Sequence, residues 1–96
     1  MRHLLSLNDV NREEILGLLE QAARFKKAVN KRQRLDAMHG RVLGLVFEKP
    51  SLRTRVSFET AMCRLWGSSV FLQGQEAGLG TRESVPDFAR TLSQYV

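Results

Sequence analysis

The sequence predicts an α/β fold, a partial three-layer α-β-α domain with parallel strands in the order α-β-α-β-α. Two observations carry this. Three stretches place apolar residues at spacings of three and four, the period of an amphipathic helix. Between them lie two short apolar runs, residues 41–47 and 69–72, each of strand length. Strands that alternate with helices imply right-handed crossovers, which set the strands parallel.

The first helix is expected over residues 11–30. Asn11 suits the N-cap and Glu14 falls at N3, a capping box with Asn in the Ser/Thr role. Val10 and Ile15 take the flanking staple positions, and Ile15, Leu18, Leu19, Ala22, Phe25 and Val29 form the apolar stripe. Residues 31–40 are polar, end in His39-Gly40 and read as a loop. The run 41–47 suits a strand buried on both faces. The second helix is expected over 54–65, with Val56, Phe58, Ala61, Met62 and Leu65 on its apolar side and Gly67 at C′. A second strand over 69–72 leads to a glycine-containing loop, residues 73–82, with Gly74, Gly78 and Gly80. Ser84 then caps a third helix, with Pro86 tolerated in its first turn and Asp87 at N3. Val85, Phe88, Ala89, Leu92 and Tyr95 continue its pattern. Two strands do not complete a parallel sheet, and the chain stops at Tyr95-Val96. The expectation is an N-terminal piece of a longer protein.

Composition narrows the function. The 96 residues are 43% apolar and 26% charged, a globular balance. The net charge is +5, and the densest basic group is Lys26, Lys27, Lys31, Arg32 and Arg34. That group reads as a solvated helix end, where cations complement the helix dipole. No aromatic residues interleave with it to stack on bases, so nucleic acid is not an expected partner. Cys63 is the single cysteine and reads as a small packing residue. His3 and His39 are isolated, so no metal site is expected. No apolar stretch has the length of a membrane span, and the first residues lack a signal-peptide pattern. A cytoplasmic setting is expected.

The most informative segment is Phe47-Glu48-Lys49-Pro50-Ser51-Leu52-Arg53-Thr54-Arg55-Val56-Ser57-Phe58-Glu59. It links the first strand to the second helix. Amides at a helix N-terminus lack intrahelical acceptors and sit in the positive end of the dipole, so such a turn suits an anion. Ser51 and Thr54 add hydroxyl donors, and Arg53 or Arg55 can give two parallel bonds to a phosphate. The plainer alternative is a helix cap in which an arginine pairs with Glu48 or Glu59. The segment lacks the Gly-rich body and Gly-Lys-Ser/Thr end of a Walker A loop. There is no Gly-x-Gly-x-x-Gly fingerprint for a dinucleotide.

The same residues resemble the carbamoyl-phosphate signature of the aspartate/ornithine carbamoyltransferase family. The stretch from Leu79-Gly80-Thr81-Arg82-Glu83-Ser84 through Tyr95 resembles a second stretch of that family, and His3-Leu4-Leu5-Ser6-Leu7 resembles its usual start. Lys49 between Glu48 and Pro50 is similar to the ornithine branch, as is the pair Leu79-Gly80. The resemblance implies that residues 1–96 are the N-terminal part of a carbamoyl-phosphate-binding domain, with the amine-binding domain absent. It implies carbamoyl phosphate and ornithine as substrates, citrulline as product, a place in arginine biosynthesis or degradation, no cofactor, and a homotrimer at full length. Ser51, Leu52, Arg53 and Thr54 would bind carbamoyl phosphate, Leu52 through its amide. Arg53 and Thr54 would also act on the carbonyl oxygen as it gains charge. Arg55 is left between ligand and loop support.

Two positions depart from the family pattern. Many relatives carry Thr at Leu52, and ornithine enzymes usually carry Gln at Gly78. Arg82 stands where relatives have Lys or Gly, and reads as a solvated loop residue. The remaining ligands of the family, a His-Pro-x-Gln segment and an arginine, come later, as does a cysteine-containing loop distinct from Cys63. The chain alone is therefore expected to be inactive. Acetylornithine or aspartate types, or a non-enzymatic anion- or nucleic-acid-binding module, are the alternatives.

Overall fold

The computed structural model describes residues 2–78 and 84–96, and of residues 76 and 77 the backbone alone. These fall into two compact units, Met1–Leu35 and Asp36–Val96.

The first unit holds a 3-10 turn, Leu7–Asp9, and helix α1, Arg12–Asn30. The α1 N-terminus forms as expected: the Asn11 side chain accepts from the Glu14 amide at 2.8 Å, and the Asn11 amide donates to Glu14 Oε1 at 3.2 Å. A second capping box, unforeseen from the sequence, opens the 3-10 turn. There the Asn8 amide donates to Ser6 Oγ at 3.1 Å, while the Leu5 and Ser6 amides donate to Asp9 Oδ2 at 2.6 and 3.0 Å. At the far end of α1 the Gln33 amide reaches the Ala28 carbonyl at 2.9 Å and the Arg32 amide reaches Val29 at 3.0 Å. This is a Schellman closure with Arg32 left-handed, at φ 54°.

The second unit is a two-stranded parallel sheet with helices. Strand β1, Val42–Phe47, pairs with β2, Ser68–Gln73, in register from Val42 opposite Ser68 to Phe47 opposite Gln73. Helix α2, Leu52–Arg64, links them; a short helical turn α3, Gly74–Ala77, follows β2; and α4, Val85–Leu92, comes last. Gly44 and Val46 of β1 lie toward α4, where a Cβ on Gly44 would meet Val96 Cγ2 at 3.3 Å and Leu92 Cδ2 at 3.6 Å. Leu43 lies toward Phe58 and Met62 of α2. Helices thus cover both faces of the sheet, the arrangement that consecutive apolar residues in a strand require. Leu45 and Met62 are the buried hydrophobic residues of this unit among those described. The alternation α-β-α-β-α stands as read from the sequence.

Several boundaries differ, among them β2, which runs Ser68–Gln73 rather than 69–72. Helix α2 starts at Leu52 rather than Thr54, because Ser51 is its N-cap. Trp66, not Gly67, takes C′ of α2, at φ 64°, with its amide on Cys63 at 3.2 Å and the Gly67 amide on Met62 at 2.8 Å. Gly67 serves close packing instead: a Cβ there would overlap Met62 Cε and stand 3.0 Å from Met38 Cβ and the Met38 carbonyl. Residues 74–77, expected in a loop, form α3. Ser84 caps α4 as expected, accepting from the Asp87 amide at 3.3 Å. Among the described residues, no helix is long and apolar enough to cross a membrane.

Candidate functional site at the head of helix α2

Strands β1 and β2 end side by side, at Phe47 and Gln73. A crevice outside the carboxyl ends of parallel strands is where α/β folds hold ligands. The chain leaves β1 through Glu48-Lys49-Pro50 and turns into α2 at Ser51, which adopts φ −151° and ψ 80°. The Ser51 side chain makes no capping hydrogen bond, so its hydroxyl is not consumed by the helix. The first amide that enters the helical ladder is that of Arg55, on the Ser51 carbonyl at 3.0 Å. The amides of Leu52, Arg53 and Thr54 precede it and meet no backbone carbonyl among the described residues. No acidic residue lies in this first turn to neutralise it.

A cavity of about 200 Å³ opens here, lined by Phe47, Pro50, Ser51, Leu52, Arg55, Phe71 and Gln73. Of the residues expected to hold an anion, Ser51 and Leu52 line it. Arg53 and Thr54 stand exposed in the same turn, beside the cavity rather than in its wall. The Thr54 carbonyl accepts from Ser57 Oγ at 2.9 Å.

Arg55 takes Glu59 as its partner: Nε lies 3.3 Å from Glu59 Oε1, one helical turn on. Its guanidinium also lies 3.7 Å from the centroid of Phe71. Phe71 in turn meets Phe47 edge to face, centroids 5.6 Å apart at 87°. The ion pair is partly exposed and contributes at most about 1 kcal/mol; the cation–π contact contributes a similar amount, ~0.5–1 kcal/mol. Together they hold Arg55 against the aromatic floor.

The end of β2 is fixed by a close approach. Gly74 is buried, and a Cβ on it would stand 3.4 Å from Glu48 Cα and 3.5 Å from the Phe47 carbonyl. Gly78 caps α3 in the left-handed region, at φ 65°. In this chain a side chain there would be strained by roughly 1–2 kcal/mol. Leu79, Gly80, Arg82 and Glu83 lie outside the described residues.

Sequence reading missed the Phe47–Phe71 floor and the Gln73 wall. Their signal is topological: once β1 and β2 are parallel and in register, their last residues border the same crevice.

An open helix N-terminus beside the aligned ends of parallel strands is a geometry in which an α/β domain can hold an anion. The chain belongs to the aspartate/ornithine carbamoyltransferase family, whose carbamoyl-P binding domain matches residues 2–96. It is 46% identical over 95 residues to an ornithine carbamoyltransferase of Bacillus thuringiensis subsp. konkukian, covering 99% of this chain and 29% of that protein. The ornithine carbamoyltransferase structure from Pyrococcus furiosus superposes with a TM-score of 0.94 at 43% identity, over 99% of this chain and 30% of that one. The catalytic subunit of M. jannaschii aspartate transcarbamoylase gives 0.89 at 38%, over 100% and 32%. The chain thus spans under a third of the length of each of these relatives.

Proposed function

We propose that this chain supplies the phosphate-binding half of an ornithine carbamoyltransferase. The δ-amine of ornithine attacks the carbonyl carbon of carbamoyl phosphate, the bond to the bridging oxygen breaks, and citrulline, phosphate and a proton result. The reading rests on one observation above others: the open amides of residues 52–54 beside the uncommitted Ser51 hydroxyl. In this reading Ser51, Arg53 and the amides from Leu52 to Thr54 hold the phosphate. Arg53 and Thr54 also stabilise the carbonyl oxygen as charge develops on it, so that positioning and electrostatics carry the catalysis. The transfer needs neither metal nor organic cofactor. In this reading the ornithine-binding residues belong to a longer cytoplasmic protein that is a homotrimer at full length.

Lys49 and the ornithine enzymes among the relatives favour ornithine as acceptor. The likeness to an aspartate transcarbamoylase keeps aspartate as the second reading, because both reactions use the same donor half.

The test is an amide-resolved NMR titration of the chain with inorganic phosphate and with phosphonoacetamide, a stable analogue of carbamoyl phosphate. The signals of residues 51–54 should shift saturably. Arg53→Ala should weaken binding about ten- to a hundredfold, as loss of charge-assisted hydrogen bonds does. The chain alone should form no citrulline. Unmoved signals at residues 51–54, or turnover by the purified chain, would overturn the reading.

A further inference from the structure

We infer that Arg55 is a positioning residue for the phosphate cradle; this rests on the carbamoyl-phosphate reading above. Its side chain is a strut that holds the first turn of α2 against the ends of the strands, and the anion does not touch it. Two connections meet at this residue. The Arg55 amide donates to the Ser51 carbonyl at 3.0 Å, the first rung of the helix. The guanidinium lies 3.7 Å from the centroid of Phe71, which belongs to β2 just before its end at Gln73. Phe71 is in turn seated edge to face on Phe47, the last residue of β1. The turn that carries the open amides is thus tied to both strands through Arg55.

The start of α2 needs such a tie. Helices α1 and α4 are each closed by a side chain that accepts from the amide at N3, Asn11 for α1 and Ser84 for α4. Ser51 makes no such bond, and the first turn of α2 has no acidic residue. A side-chain cap would fix this turn but would consume an amide that the anion needs. Arg55 fixes it from the fourth helical position and leaves the amides of residues 52–54 open. Donors held in place bind an anion more tightly than donors that must be ordered on binding.

The same contacts set Arg55 apart from a ligand. An arginine that binds phosphate does so from its edge, with two parallel N–H bonds. In Arg55 the face is on Phe71 and Nε donates to Glu59 Oε1 at 3.3 Å. A phosphate would have to compete with that carboxylate, which stands one turn along the same helix. Arg53 stands exposed in the first turn and is the guanidinium of the cradle. Of two arginines two residues apart, Arg53 then meets the anion and Arg55 sets the turn.

The experiment titrates the full 96-residue chain with inorganic phosphate, followed by NMR, and compares Arg55→Met, Phe71→Leu and the double variant. Each is measured well below its urea midpoint, so that only folded chain is read. Arg55→Met removes the charge and the planar fork, whereas Phe71→Leu removes the ring and leaves the Arg55 charge in place. Each single variant should weaken phosphate binding about three- to tenfold, the effect of a partly desolvated cation–π contact. The double variant should bind within about twofold of the weaker single variant, because both act through one contact. The Arg55 Nε–Hε signal of the wild-type chain gives a readout that needs no variant. It should stay in place while the amides of residues 51–54 shift to saturation. Wild-type phosphate affinity in either single variant, with only the urea midpoint lowered, makes the contact merely structural and overturns the inference. An Arg55 Hε signal that moves with the amides makes Arg55 a ligand and also overturns it. Both results leave the phosphate cradle standing. If phosphate moves none of residues 51–54 in the wild-type chain, the cradle and the Arg55 assignment both fall.

Discussion

Leu52 sits at the first helical position of α2 and is 75% exposed, so in the proposed cradle it would contribute its amide. A leucine would serve in that role as well as a threonine, provided the N–H faces the anion. Proline separates the two contributions. At the first helical position it fits the backbone and removes only an amide that has no intrahelical acceptor. Leu52→Pro should keep the helix and weaken phosphate binding about three- to tenfold. Leu52→Ala, which retains the amide, should change it little. Circular dichroism checks the helix, and the titration described above checks the affinity. Unchanged phosphate binding by Leu52→Pro would remove this amide from the site. Gly78 teaches the complementary lesson. Its left-handed φ of 65° is one that glycine adopts without the cost a side chain would bring, and glycine offers no side chain to a ligand.

Helix ends decide which parts of this fold can be read in advance. The starts of α1 and α4 were legible because Asn11, Glu14, Ser84 and Asp87 carry a side-chain signature at fixed offsets. The 3-10 turn at Leu7–Asp9 uses the same offset in Ser6 and Asp9, yet no apolar periodic run follows it to mark a helix. The closures after α1 and α2 were hidden because Arg32 and Trp66, rather than glycine, adopt the left-handed conformation. Nothing in those side chains announces it. Among the residues that line the cavity, Ser51 and Leu52 come from the turn that local spacing marked, whereas Phe71 and Gln73 come from a different strand and needed the register. Gly67 was legible as special but for the wrong reason. Met38 is stitched to the end of α2 by its amide on the Leu65 carbonyl at 2.9 Å, so its backbone cannot retreat from an added Cβ. Gly67→Ala should cost about 1–3 kcal/mol as an overpacking change, read as a lower urea midpoint with unchanged slope. The 3-10 turn makes a prediction in pH. Hydrogen bonds from the Leu5 and Ser6 amides lower the Asp9 pKa below its ordinary value of 3.8. A depressed carboxyl pKa stabilises the turn fully above the ordinary value, and the effect is lost as pH falls through the lowered one. The amide shifts of Leu5 and Ser6 should therefore hold down to about pH 4 and collapse below it. Asp9→Asn should flatten that titration.

Charge is the property of the whole chain that bears most directly on its partners. A net charge of +5 attracts any polyanion at low salt, and Lys26, Lys27, Lys31 and Arg32 gather at the end of α1. Two physical situations follow from the same charge. A surface that binds nucleic acid releases one counterion per neutralised phosphate, so the logarithm of its affinity falls with the logarithm of salt with a slope of about −0.9 per contact. A cradle for one small anion uses fixed amides and a few side chains at short range, where screening over roughly 8–10 Å has less to act on. The cluster after α1 favours the first situation only weakly. Lys27 lies in the last turn of that helix, where a cation already complements the dipole. Phosphonoacetamide should therefore remain a saturable ligand at about 0.15 M salt, shifting the amides of residues 51–54, with an affinity that changes by less than about threefold on doubling the salt. A 20-base-pair duplex of mixed sequence should bind at low salt only, with a steep slope, and should leave those amides where they are. The two ligands should not compete. Duplex binding that persists at 0.15 M salt and displaces phosphonoacetamide would move the basic turn from a carbamoyltransferase donor site to a nucleic-acid surface.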